Sequence, residues 1–243
     1  MMIKKKNLLI ALFFLASCSN ESSYEQQNLS ELIQPDLNYF SSQYDCSLLG
    51  ANNLNDLEQY IPKLSALLKN HSFKYQLEFY FADNQKNEIK SFIINVKNSE
   101  VIDREKLGLF INSENEIFQC LQKNNNLIAT TLISKLDIQN SIFYLEILDC
   151  EFSSDSNFGT FKVASDYFFN LLNEYSIAYK ADFLNSDSDS RNFYWHNLFN
   201  SPEDRDDFFA NCVGSDESIE IKELFSGQSE CFSSNSYIGY KVY

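Results

Sequence analysis

The sequence predicts an α+β fold made of two copies of a β-α-β-β-α-β unit in one chain. Three observations carry that prediction: a weak internal repeat, segments whose apolar residues alternate every second position, and segments whose apolar residues recur at helical spacing. Placing Asp45-Cys46 over Asp149-Cys150, an offset of 104, puts Leu67-Leu68 on Leu171-Leu172 without a gap. The same offset sets Ser72 on Ser176, Tyr75 on Tyr179, Glu78 on Asp182 and Phe79 on Phe183. A shift of two residues in the next loop then sets Asn95 on Asn197, Asn98-Ser99 on Asn200-Ser201 and Ile117 on Ile219. A later insertion in the second copy brings Cys120 onto Cys231.

Each copy opens with a strand, "SQYDCSLL" or "SIFYLEILDCEF", rich in β-forming residues. A helix follows. Phe161, Ala164, Phe168, Leu171, Leu172 and Tyr175 share one helical face in the second copy. Leu54, Leu57, Ile61, Leu64 and Leu68 do so in the first, where Pro62 should bend or shorten the helix. Two strands come next, joined by a polar hairpin. In "FKYQLEFYF", Phe73, Tyr75, Leu77 and Phe79 alternate with Lys74, Gln76 and Glu78; "IAYKADFL" is its counterpart. The third strand is "SFIINVK" or "NFYWHNLF". A second helix starts at Ser201-Pro202-Glu203-Asp204, where Ser suits the N-cap, Pro the first turn, and acidic residues the helix dipole. The last strand is "NLIATTLI" or "SYIGYKVY".

The order β-α-β-β-α-β is that of the ferredoxin-like unit, whose helices cover one sheet face only. The bare face needs a cover, and a second copy in the same chain supplies one. This arrangement resembles the dimeric α+β-barrel superfamily, which includes antibiotic-biosynthesis-monooxygenase-like domains. The residues behind the resemblance are "LEILDCEF", the helix through Leu171-Leu172, and "FYWHNLFNSPEDRDDFF". It implies two ferredoxin-like repeats packed sheet to sheet as an intrachain dimeric α+β barrel. Residues 42–136 would form repeat 1 and residues 137–243 repeat 2.

The N-terminus carries three lysines before the apolar run "LLIALFFLA", a secretory leader too short to span a bilayer. Its boundary, Leu15-Ala16-Ser17-Cys18, resembles the lipobox of bacterial lipoproteins. That resemblance implies a signal peptide over residues 1–17, lipidation of Cys18, and a polar tether over residues 18–41. The expected location is the bacterial cell envelope, with Ser19 pointing to the outer membrane. Removing residues 1–17 takes away three lysines and no acid, so the formal charge moves from −15 to −18. Such a field repels phosphate backbones, and nucleic acid is not an expected partner. Expected partners are the membrane, through the lipid, and a small molecule or an envelope protein.

An envelope location permits disulfides. In the ferredoxin-like strand order 4-1-3-2, the end of the first strand lies beside the start of the fourth. The fold therefore implies the bridges Cys46–Cys120 and Cys150–Cys231, each closing a loop of about 75 to 80 residues and contributing roughly 4 kcal/mol in the chain-entropy model. Cys212 is left over as a small hydrophobe; the rival pairing joins it to Cys231. No CxxC pair or zinc-type spacing occurs, so no metal site and no cofactor are expected.

Chemistry is harder to read. GxSxG, HExxH, P-loop and GxGxxG motifs do not occur. His71 falls at a helix end and His196 on a strand, both as structural histidines. Asp187 and Asp189 lack the glycine and terminal glutamate of a calcium loop. If the apolar strand faces meet the helices, the opposite faces look into the barrel. Glu78 and Asp182 then become repeat-related carboxylates, with Asn95, Asn197 and Trp195 on the neighbouring strands as a ligand pocket. Otherwise these strands carry wet polar faces at the barrel edges. The expected function is a non-catalytic module that binds a small ligand or a protein. The alternative, implied by the resemblance alone, is a cofactor-independent monooxygenase-like or haem-handling enzyme.

Overall fold

The computed structural model describes residues 35–70, 75–84, 89–101, 103–113, 115–135, 137–186, 190–212 and 216–242. Cys18 with its leader, His71, Phe73, Asp187 and Asp189 lie outside these residues.

The first repeat contains β1 (Tyr39–Leu48), α1 (Leu54–Asn70), β2 (Tyr75–Ala82), β3 (Ser91–Asn98), α2 (Arg104–Asn112) and β4 (Phe118–Ile133). The second contains β5 (Ile142–Phe152), α3 (Phe158–Glu174), β6 (Lys180–Asn185), β7 (Asn192–Phe199), α4 (Pro202–Cys212), α5 (Asp216–Gln228) and β8 (Ser229–Lys241). The eight strands close into a barrel in the order β1-β3-β2-β8-β5-β7-β6-β4. Each repeat keeps the 4-1-3-2 order, and the two sheets join edge to edge. The architecture is the expected intrachain dimeric α+β barrel.

Strand length explains the closure. β4 pairs with β1 along its first part, and its end, Ile128–Ile133, crosses to β6 of the other repeat. β8 does the reverse: it lies along β5, and Tyr237–Lys241 reach β2. The crossings satisfy sheet edges that would otherwise expose unpaired backbone. At Gly239 a Cβ would sit 2.4 Å from the Phe143 ring, so only glycine lets β8 pass there.

Helices cover the outer face of the barrel. Asn53 starts α1 by accepting the Asn55 N–H at 2.9 Å, while Asp56 accepts the Asn53 N–H at 2.9 Å. Leu57, Leu64 and Leu68 then bury fully against the sheet. Pro62 does not shorten α1, which runs unbroken for 17 residues. The proline is exposed, so the backbone bond it forfeits faces water, and the buried stripe holds the helix together. α2 is capped by Asp103 and α3 by an Asn157/Thr160 capping box. The Ser201 hydroxyl accepts the Asp204 N–H at 3.1 Å and starts α4 as expected.

The expected tether ends earlier than residue 41. Tyr39, Phe40 and Ser41 already belong to β1, and the buried Ser41 hydroxyl donates to Asn95 at 2.6 Å. Both expected disulfides form, Cys46–Cys120 and Cys150–Cys231. The second excludes the rival Cys212–Cys231 pair. Each joins residues directly opposite each other on neighbouring strands.

Candidate functional site: a polar barrel interior and an aromatic cleft

Strand register decides which residues can meet. Glu78 on β2 stands opposite Asn95 on β3. Its counterpart Asp182 on β6 stands opposite His196 on β7, while Asn197 faces Ala181. The residue equivalent to Asn95 is therefore His196, and the shift between copies is three residues, not two. Phe92 and Phe193 mark the true register, since each pairs with a disulfide cysteine of its own repeat. A slip of one residue moves every side chain to the other face of the sheet. So Glu78, Asn95 and Asp182 meet inside the barrel rather than on wet polar edges. Trp195 and Asn197 do not join them; they lie on the outer face under the helices.

Lys97 and His196, absent from the expected set, complete the interior. Lys97 Nζ lies 3.2 Å from Glu78 Oε1 and 3.2 Å from Asp182 Oδ2, bridging the two repeats. All three side chains are buried. Glu78 also accepts from the Tyr80 hydroxyl at 2.6 Å, Asn95 Nδ2 at 3.1 Å and Gln76 Nε2 at 3.1 Å. Thr131 donates to Asp182 Oδ1 at 2.7 Å. Burial pushes the Asp182 carboxyl up, but Lys97, Lys180 and the Thr131 bond outweigh it and hold it well below the usual carboxylate range. Burial would lower Lys97; Asp182 and Glu78 outweigh it and keep the ammonium charged. Burial pulls His196 down to about 4, against the opposing field of Asp182, so its ring is neutral near pH 7. Its Nε2 is buried without a hydrogen-bond partner, which departs from the satisfied structural histidine expected. Phe143, Leu145 and Leu198 form an apolar cluster in the interior with Tyr80, and Leu127, Ala129 and Leu184 form another. These clusters and the Lys97 bridge lock the halves together.

The open volume is on the other side of the sheet. A cleft of about 1160 Å³ lies between the outer face of repeat 2 and its helices. Its floor includes Phe193, Trp195 and Asn197 of β7; α3 contributes Phe161 and Phe168, and α5 contributes Phe225. Trp195 meets Phe161 edge to face at 5.1 Å, and Phe225 packs on Phe161 at 5.3 Å. The Tyr179 hydroxyl donates to Asn197 Oδ1 at the floor. Burial holds this phenol far above its usual value, with a Trp195 hydrogen bond working against it, so it stays a protonated donor. Beside it, Arg205 of α4 grips the buried Glu146 at 2.7 and 2.8 Å. An aromatic cavity with few converging polar groups suits a largely apolar guest. His196, on the opposite face of β7, is not aimed into it. The roof, α5, is the folded form of the insertion expected in copy two; its role as a cover had no signal in the sequence alone.

No protein-family model matches this sequence, and no curated protein matches it. Among solved structures, an anthrone oxidase-like protein aligns with a TM-score of 0.50 at 9% identity, covering 86% of this chain and 95% of that one. A candidate monooxygenase from Lactobacillus acidophilus NCFM aligns with a TM-score of 0.46 at 12% identity, over 83% of this chain and 94% of that one. Another from Fusobacterium nucleatum gives 0.48 at 7% identity, over 84% and 93%. The first of these likenesses concerns the fold, which is the tandem α+β barrel described above.

Proposed function

We propose that this protein is an envelope lipoprotein, anchored through Cys18, whose second repeat binds a small, mostly apolar ligand. The observation that carries the reading is the aromatic cleft with the Tyr179–Asn197 pair at its floor. Aromatic walls favour a flat or chain-like apolar body, and the pair can hold one polar substituent. The Leu15-Ala16-Ser17-Cys18 motif supports the anchor. The oxidase-like neighbour raises a second reading, oxidation of the same guest, which the Asn197 amide N–H, held in place by the Tyr179 hydroxyl on its oxygen, would serve by donating to an oxygen substituent.

Trp195 is the only tryptophan in the chain, so its fluorescence reports on the cleft. Titration with N-phenyl-1-naphthylamine, a neutral aromatic probe, should quench Trp195 saturably. Gly227 lines the cleft, and a Cβ there meets no atom within 4 Å. Gly227→Phe should therefore fill the space and weaken the probe at least about tenfold, a loss near 1.4 kcal/mol. Quenching that does not saturate, or that survives this substitution, would refute the cleft as the site. Native mass spectrometry of the protein purified from its own envelope would then identify any resident guest.

A further inference from the structure

The two disulfides occupy equivalent places in the two repeats but very different surroundings. Cys46 and Cys120 are 2% and 4% exposed. Asn112 of α2 clamps the backbone of Cys120, accepting its N–H at 2.9 Å and donating to its carbonyl at 3.2 Å. In repeat 2, Cys150 is 1% exposed but Cys231 is exposed, and both line the cleft. Thiol–disulfide exchange requires a thiolate to approach one sulfur from the side opposite the other. Burial closes that approach at Cys46, Cys120 and Cys150. Of the four, only Cys231 is an exposed residue.

We propose that Cys231 is a thiol-exchange site, and that small thiols reach it through the cleft. The cleft assignment rests on the proposed ligand reading; the difference between the two disulfides does not. A thiolate RS⁻ attacks Cys231 Sγ, forming an R–S–S–Cys231 bond and breaking the bond to Cys150. Cys150 leaves as a thiolate and takes up a proton. A second thiolate attacks the R sulfur, forming R–S–S–R and releasing Cys231. The protein disulfide gains two electrons, and two molecules of external thiol lose one each. The consequence reaches the cleft roof, since α5 ends at Gln228, three residues before Cys231. Opening the bridge removes the covalent tie nearest the chain that carries Phe225, leaving it held by the β5–β8 ladder, and the mixed disulfide places the R group at the cleft wall. Occupancy of the cleft and the state of this bond are thereby coupled: a bound guest shields Cys231, and reduction loosens the roof over the guest.

The test uses the mature protein with Cys212→Ser, which removes a thiol that could exchange internally. It is exposed to reduced glutathione at neutral pH, quenched with N-ethylmaleimide at intervals, and mapped by peptide mass spectrometry. Cys150–Cys231 should open at least about tenfold faster than Cys46–Cys120, with the glutathione adduct on Cys231. Saturating N-phenyl-1-naphthylamine should slow that opening and leave Cys46–Cys120 unchanged. Equal rates, faster opening of Cys46–Cys120, or an adduct on Cys150 would overturn the site. Unslowed opening with Trp195 fully quenched would overturn the route through the cleft. Should the probe not bind, the ligand reading fails separately. Gly227→Phe then serves as the obstruction, and unslowed opening in that variant overturns the route.

Discussion

The two repeats share one topology and differ in how their helices meet the sheet. In repeat 1, Leu57, Leu64 and Leu68 of α1 and Leu107 and Ile111 of α2 share one buried cluster with Ile94 and Val96, all 0–1% exposed. Only residues 113–117 separate α2 from β4. In repeat 2 the positions of Ile94 and Val96 are taken by Trp195 and Asn197, and residues 213–228 separate α4 from β8, including α5. The equivalent tyrosines follow suit. Tyr75 donates to the Ser65 carbonyl of α1 at 2.7 Å and ties helix to sheet, whereas Tyr179 donates to Asn197 within the sheet. A unit closed by small aliphatic residues becomes a scaffold, and one spread by rings and an inserted helix becomes a candidate site. The difference teaches that a duplicated fold needs only a few substitutions and one insertion to assign stability to one copy and recognition to the other.

The comparison presumes that the halves stand or fall as one body through Lys97. Lys97→Met leaves two buried carboxylates facing each other and should cost roughly 3–5 kcal/mol in urea denaturation. Adding Glu78→Gln and Asp182→Asn should recover most of the loss. A Lys97→Met protein of full stability would mean that the interior does not couple the repeats.

His196 and Asn95 provide the second contrast, because only the repeat-2 partner titrates. Between pH 6.5 and about 4, unfolded His196 binds a proton that the folded protein refuses. Stability should therefore fall as pH falls through this window, by about 3 kcal/mol in total, and be unaffected above it. Asp182 acts in a lower window: its contribution is present above its ordinary value of 3.8 and lost below it. His196→Asn, which copies repeat 1, should flatten the dependence of Tm between pH 6.5 and 5. An unchanged slope would remove His196 as its source.

The smallest effects come from mirror swaps at Val96 and Asn197. Val96→Asn buries an amide in a closed aliphatic layer and should cost roughly 1–3 kcal/mol. Asn197→Val deprives the buried Tyr179 hydroxyl of its acceptor, but both residues line the cleft, where water can take the acceptor's place, and the net cost should be about 1 kcal/mol or less. Equal costs by thermal denaturation would mean the two helix layers are equally closed.

The sequence alone determined the repeated β-α-β-β-α-β order, α5 excepted, because alternation and helical spacing report which face of each segment is apolar. The 4-1-3-2 sheets and both disulfide pairs followed from the ferredoxin-like unit that this order matches. The sequence left open whether Glu78, Asn95 and Asp182 face the barrel interior or a wet edge, and the register decided for the interior. Trp195 and Asn197 were misplaced because identity matching favoured Asn98-Ser99 over Asn200-Ser201, while the hydrogen-bonded register follows Phe92 and Phe193. A loop of uncertain length leaves register open by one residue, and one residue inverts a strand. Only the tertiary structure decided which lysine bridges the carboxylates, and that α5 roofs a cleft while the first repeat is shut. These outcomes depend on contacts between segments far apart in the chain, Lys97 with Asp182 and Phe161 with Phe225, and local periodicity carries no information about such distances.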